Sequence, residues 1–235
     1  MKTYIWTIPT RLIHWLIACF IIAAFVLGEE DASIDWHALA GLTVGLLLLF
    51  RILWGFVGPR YSRFVHFALT PSMAARLSPH KQGERRIYAG HNLESSWVML
   101  AIYLTLALVV VSGFMAYSGQ EGAFSIVSIS VSNAGLWGDI HESMLAVLWI
   151  LIAIHLAGVL MSFLSERQLG AVQSIFTGYK NVIATEARLN KGQKILSVVA
   201  LLLLFVFLLF GIRNANNAVR KANPDVESYN DDDDD

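Results

Sequence analysis

Two histidines, His141 and His155, stand fourteen residues apart in HESMLAVLWILIAIH, a segment otherwise apolar enough for a lipid bilayer. Ionisable side chains at membrane depth are costly and mark function. Fourteen residues of α-helix rise ~21 Å and turn through about 1400°, close to four whole turns, so both imidazoles share one face at two levels. Two further histidines match those levels: His14 near the start of the first apolar run and His37 at the start of the second. In an antiparallel bundle His37 meets His141 and His14 meets His155. Imidazole pairs facing each other across a helical bundle are what bis-histidine haem ligation requires, one axial nitrogen on each side of the macrocycle. The other ring nitrogen can then donate to a backbone carbonyl. Zinc fits less well: the levels are too far apart for one site, and two histidines per level leave it short of protein ligands. His37 or His141 alone would read as an interfacial residue; the agreement of four positions carries the haem reading.

The elements that must hold these residues are membrane helices. Of 235 residues, 56% are hydrophobic and only 15% charged, too apolar for an ordinary soluble domain. Five runs approach the ~20 residues needed to cross hydrocarbon: residues 12–28, 37–57, 97–117, 141–163 and 195–212. The first has no clear small-x-small cleavage site and carries Arg11 and His14, so it is read as a retained helix. The fold class expected is an all-α integral membrane protein, a four-helix haem-binding bundle with a fifth, C-terminal span. Residues 1–180 form the bundle domain, 181–213 a connector and last helix, and 214–235 a polar acidic tail expected to be disordered. A near-neutral net charge argues against nucleic acid as a partner. The single cysteine, Cys19, excludes an intrachain disulfide, and the absence of C-x-x-C-H makes any haem non-covalent.

Basic residues set the orientation. The first turn, EEDASID, and the third connection carry none, whereas the second holds Arg60, Arg63, Arg76, Lys81, Arg85 and Arg86. The fourth adds Arg167, Lys180, Arg188, Lys191 and Lys194. The N-terminus is therefore expected inside and, after five spans, the C-terminus outside. Arg213, Arg220 and Lys221 just after the last span weigh against that final step. Arg51 lies fourteen residues after His37, on the same face at the inner level, where a guanidinium suits a haem propionate. Arg11, one turn before His14, is a second candidate, with snorkelling to lipid headgroups as its alternative. Glu142 is read as facing water.

The segments IWTIPTRLIHWLI, DWHALAGLTVGLLLLFRILWGFVGPRYSRF and AGHNLESSWVMLAIYLTLALVVVSG, with HE and a histidine fourteen residues on, resemble the prokaryotic di-haem cytochrome b family over about residues 4–180. That family includes membrane subunits of nickel-iron hydrogenases and formate dehydrogenases. The resemblance implies a bacterial inner-membrane protein with two b haems. His14, His37, His141 and His155 would be the axial ligands, and electrons would be exchanged with a quinone near the inner haem. It also makes His91 and Asn92, in the GHN segment, candidate quinone contacts, with a solvated loop histidine as the alternative for His91. His66 and His80 read as ordinary loop residues.

The function expected is transmembrane electron transfer between the quinone pool and an outer-face partner. That partner would be a hydrogenase or dehydrogenase subunit or a periplasmic c-type cytochrome, which the acidic tail could attract. An enzyme acting on a small molecule such as superoxide at the outer haem is one alternative, disfavoured by the acidic outer loops. A haem-free membrane anchor is the other.

Overall fold

Backbone amides in hydrocarbon must be satisfied within their own segment, so apolar runs of this length fold as helices. The computed structural model describes residues 2–29, 34–77, 81–82, 85–118, 124 and 134–222. In chain order its helices are α1 (Ile8–Leu27), α2 (Ile34–Val57), α3 (Pro71–Leu77), α4 (Leu93–Ser118), α5 (Ala134–Ser165), α6 (Ser174–Thr177) and α7 (Lys191–Ala222). Five of them, α1, α2, α4, α5 and α7, are long and apolar enough to cross a membrane. The chain is a multi-pass, all-α membrane protein.

The helices overrun the apolar runs because intrahelical bonding continues past the hydrocarbon edge. Helix α1 begins four residues earlier than the sequence suggests, with a proline in its first turn, where no N–H is needed. At α7 the amide of Asn190 donates to Gln193 Oε1 (3.0 Å), and the amide of Gln193 donates to Asn190 Oδ1 (2.8 Å), a reciprocal cap. At its other end α7 runs to Ala222, so residues 214–222 extend the helix rather than opening the polar tail. Arg220 suits that position, because a cation near a helix C-terminus opposes its dipole. His80 and the acidic tail from residue 223 lie outside the described residues.

Helix α2 occupies the centre, packed against α1, α4 and α7, while α4 runs along α5. Val44 and Leu48 of α2, Leu106 and Val109 of α4 and Leu148 of α5 form the buried core, with Ile17, Phe20 and Ile21 of α1 against it. Between α1 and α5, by contrast, side-chain rings make the contact, including Phe25 on Trp149 at 5.0 Å. Helix α7 lies outside this core, against α2. Gln193 Nε2 donates to Val57 O (2.8 Å) at one end, and Leu39 fills the space beside Gly211 at the other.

The end of the bundle where the chain starts, here the proximal end, is closed by a small cap. Strand β1 (Thr3–Tyr4) pairs antiparallel with Tyr179–Lys180, which is β4; β2 (Lys81–Gln82) and β3 (Arg85–Arg86) form a separate hairpin. Ile5, Trp6, Tyr61, Val182 and Ala187 make the cap's own core. Gly178 turns the chain into β4 at φ 88°, and a Cβ there would sit 2.7 Å from Trp6 O. A buried polar chain ties the cap side to the bundle: Trp54 Nε1 donates to Thr10 Oγ1 (3.0 Å), which in turn bonds Ser62 Oγ (2.8 Å). Trp54 is fully buried.

Replacing Trp54 by Phe keeps most of the apolar ring and deletes only the donor. The expected cost is about 1 kcal/mol, typical of an interhelical hydrogen bond in a membrane protein. It is read as a lowered midpoint in thermal unfolding of the detergent-solubilised chain.

Candidate functional site

The four histidines meet as two pairs. His37 of α2 faces His141 of α5 with ring centroids 6.0 Å apart, and His14 of α1 faces His155 of α5 at 6.4 Å. Two imidazoles bound to opposite sides of one iron, with metal–nitrogen bonds of about 2 Å and about 1 Å more to each ring centre, put the centres about 6 Å apart. Both separations match that requirement, and the residues present fit a haem at each level. By the helix rise the levels lie ~21 Å apart along α5. Among the described residues no three histidine, cysteine or acidic side chains cluster as a metal site. The donor set at each level is two imidazoles, which suits a metal whose other ligands come from a macrocycle.

The distal pair, His37 with His141, is held in ligating posture by the backbone. His37 Nδ1 donates to Ala24 O (2.7 Å), a carbonyl of the last turn of α1 that lacks an intrahelical partner. His141 Nδ1 donates to Val109 O (2.9 Å) on α4. Because a carbonyl only accepts, each contact fixes the proton on Nδ1 and leaves Nε2 for a metal. Two glycines make these approaches possible. A Cβ on Gly28 would stand 2.9 Å from His37 Nδ1, and one on Gly113 would stand 2.7 Å from His141 Cε1. Neither glycine was singled out from the sequence; the available signal was a lone glycine inside the apolar run VVVSGFM. Glu142 is exposed, as expected.

The proximal pair has a cationic surround. Arg51 is only 5% exposed; its Nη1 donates to Ser62 O at 3.3 Å, and its side chain also hydrogen-bonds that of Tyr103. Its guanidinium lies over the rings of Tyr103 (5.2 Å) and Phe64 (5.7 Å). A buried cation held by rings, a hydroxyl and a carbonyl, with no carboxylate in salt-bridge range among the described residues, fits an anionic group brought by a ligand. Arg11 donates from Nη1 to Phe176 O, and its buried Nε has no partner among the described residues.

His91 sits in the cap, between the rings of Trp6 and Phe67, each with its centroid 4.9 Å away. Burial, reinforced by the charges of Arg51 and Lys180, lowers its pKa from 6.5 to about 3. The ring is therefore neutral at any physiological pH. Lys180, which sequence reasoning counted only as a topology marker, is buried and donates to Tyr88 O (2.8 Å) just before His91; burial lowers its pKa to about 8. Asn92 has a structural task, because its Oδ1 accepts from the amide of Ser95 (2.8 Å) and caps α4. His66 lies in the short turn Phe64–His66, away from the pairs.

A membrane helical bundle with two facing histidine pairs offers the donor set of a b-type cytochrome. The chain belongs to the prokaryotic cytochrome b561 family, whose sequence model matches residues 5–178. Among curated proteins it is 27% identical over 146 residues to a probable Ni/Fe-hydrogenase B-type cytochrome subunit of Bradyrhizobium diazoefficiens, covering 51% of this chain and 59% of that one. It is 23% identical over 214 residues to the probable Ni/Fe-hydrogenase 1 B-type cytochrome subunit of Escherichia coli K12, covering 76% and 90%. No solved structure matches. As a member of a cytochrome family the chain serves membrane electron transfer, and the haem-free anchor reading falls away. Helix α7 lies beyond the family match.

Two expectations follow from this geometry. Gly113→Ala pushes a methyl group into the His141 ring, so it is expected to lower occupancy or shift the spectrum of one haem and spare the other. Optical difference spectra with haem quantitation read this directly. For His91, the unfolded chain binds a proton between pH 6.5 and about 3 that the folded chain refuses. Stability is therefore full above pH 6.5 and falls as pH drops through that window. His91→Gln should flatten the decline of the unfolding midpoint between pH 6.5 and 4.

Proposed function

We propose that this chain carries electrons across the membrane with one haem b at each histidine pair, His14/His155 and His37/His141. Each haem, when bound, supplies a one-electron iron couple. The protein positions the axial nitrogens and sets the electrostatics. The observation that carries this reading is the distal pair, in which two Nδ1–H groups are fixed by carbonyls and the rings are spaced as one iron requires. Arg51, with Arg11 as a second candidate, neutralises a propionate at the proximal level.

A quinone exchanging electrons at the proximal end is the second part of the proposal. His91 supports it: a neutral, half-buried imidazole, walled by Trp6 and Phe67, can hydrogen-bond a quinone oxygen without the cost of a buried charge. The amide group of Asn92 stands beside it. Basic residues crowd the proximal end and its loops, which supports a cytoplasmic proximal end in a bacterial inner membrane and the end of α7 on the other side. The relatives are named as probable hydrogenase subunits, which supports a hydrogenase as the electron partner, met at the distal end. A c-type cytochrome is the other candidate.

Reduced-minus-oxidised spectra with pyridine haemochrome quantitation test the assignment. Wild type should hold two b haems per chain, and His141→Ala and His155→Ala should each lose one. A folded wild-type protein with no haem, or a His141→Ala variant that keeps both, would sink it. Arg51→Met should lower the midpoint potential of one haem by on the order of 50 mV, the one-electron equivalent of about 1 kcal/mol, in a redox titration.

A further inference from the structure

Helix α7 joins the bundle along a seam that it does not fill. Between α1, α2 and α7 lies a cavity of about 300 Å³ bounded by Pro9, Leu12, Leu47, Phe50, Ala200 and Leu204, among others. Its one hydroxyl side chain, Ser197, bonds back to Gln193 O (2.8 Å) of its own helix, so the lining offers hydrocarbon contact alone. A dry apolar cavity of this kind takes apolar ligands.

A second recess, of about 430 Å³, lies on the proximal side of the first. Thr7 and Ile8 precede Pro9 along the chain, and Lys194 lies one turn before Ser197 on α7. This recess is more polar than the cavity, with Tyr4, Tyr179, Arg188 and Lys194 in its walls. Its one acid, Glu186, is taken by Arg188 at 3.4 Å. Lys194 is exposed and has no acidic partner among the described residues. The seam therefore has a cationic, hydroxyl-bearing mouth at the water boundary and a hydrocarbon slot below it. A neutral quinone head group would leave that cation unmatched; a phosphate diester would match it.

We propose that this seam is a binding site for one anionic glycerophospholipid, with an acyl chain in the α1–α2–α7 cavity and the phosphate at Lys194. The lipid would complete the contact between α7 and the bundle. The site lies apart from both histidine pairs and does not rest on the electron-transfer reading.

The test is native mass spectrometry of the full chain as purified in mild detergent, titrated with dioleoylphosphatidylglycerol or with dioleoylphosphatidylcholine. The acyl chains are identical, so a difference reports the head group. One phosphatidylglycerol should bind at least about fivefold more tightly than phosphatidylcholine, the scale expected for one lysine at an anionic surface. Lys194→Glu should remove that preference. Ala200→Phe, which fills the cavity, should weaken both lipids, while Arg220→Glu at the far end of α7 should change nothing. Circular dichroism and the optical spectrum report folding and haem content separately. Equal binding of the two lipids by wild type, or unchanged preference in Lys194→Glu, overturns the proposal even if Ala200→Phe fails to fold. A wild type lacking haem but showing the preference would instead count against the electron-transfer reading alone.

Discussion

A histidine inside a bilayer has two ring nitrogens and no water to satisfy them, and this constraint organises the bundle. At the distal level each ring gives one N–H to a backbone carbonyl, His37 to Ala24 and His141 to Val109. The second nitrogen is thereby left for a metal. Those two contacts demand close backbone approach, and the glycines at 28 and 113 provide the room. The crossing of α1, α2, α4 and α5 follows from seating these four rings as much as from the apolar core between them.

The proximal level is built on a different principle. There the backbone is replaced by a cap in which the N-terminal strand, the second connection and the segment after α5 are pinned together by Trp6 on Ser174 and Tyr61 on Thr185. The cap buries cations, Arg51 and Lys180, beside a histidine that stays neutral. Concentrated positive charge favours anions and opposes further protonation, a setting suited to propionates and to a neutral redox substrate. The same end gathers Arg188, Lys191 and Lys194 at the start of α7.

Much of this was legible from residue order. The apolar runs gave five spans because hydrocarbon thickness sets helix length. The fourteen-residue spacing gave the shared face and the pairing because helical geometry is rigid over that distance. Helix ends were misjudged: 214–222 reads as tail and folds as helix, since a formed helix extends beyond the membrane at little cost per residue. Roles that depend on a partner distant in sequence were less legible. Asn92 reads as a ligand contact and also caps α4, and Arg11 reads as a lipid or propionate contact and also reaches the carbonyl of Phe176.

The sequence by itself thus determined the membrane class, the number of spans and the two levels of histidine, because these depend only on composition and on the fixed rise and turn of one helix. Only the tertiary structure decided which nitrogen of each distal histidine is free, why Gly28 and Gly113 are glycine, how His91 is walled, and where α7 leaves a seam. Each of those is a contact between segments far apart in the chain, and a distance between two helices is set by packing, which no spacing along one of them encodes.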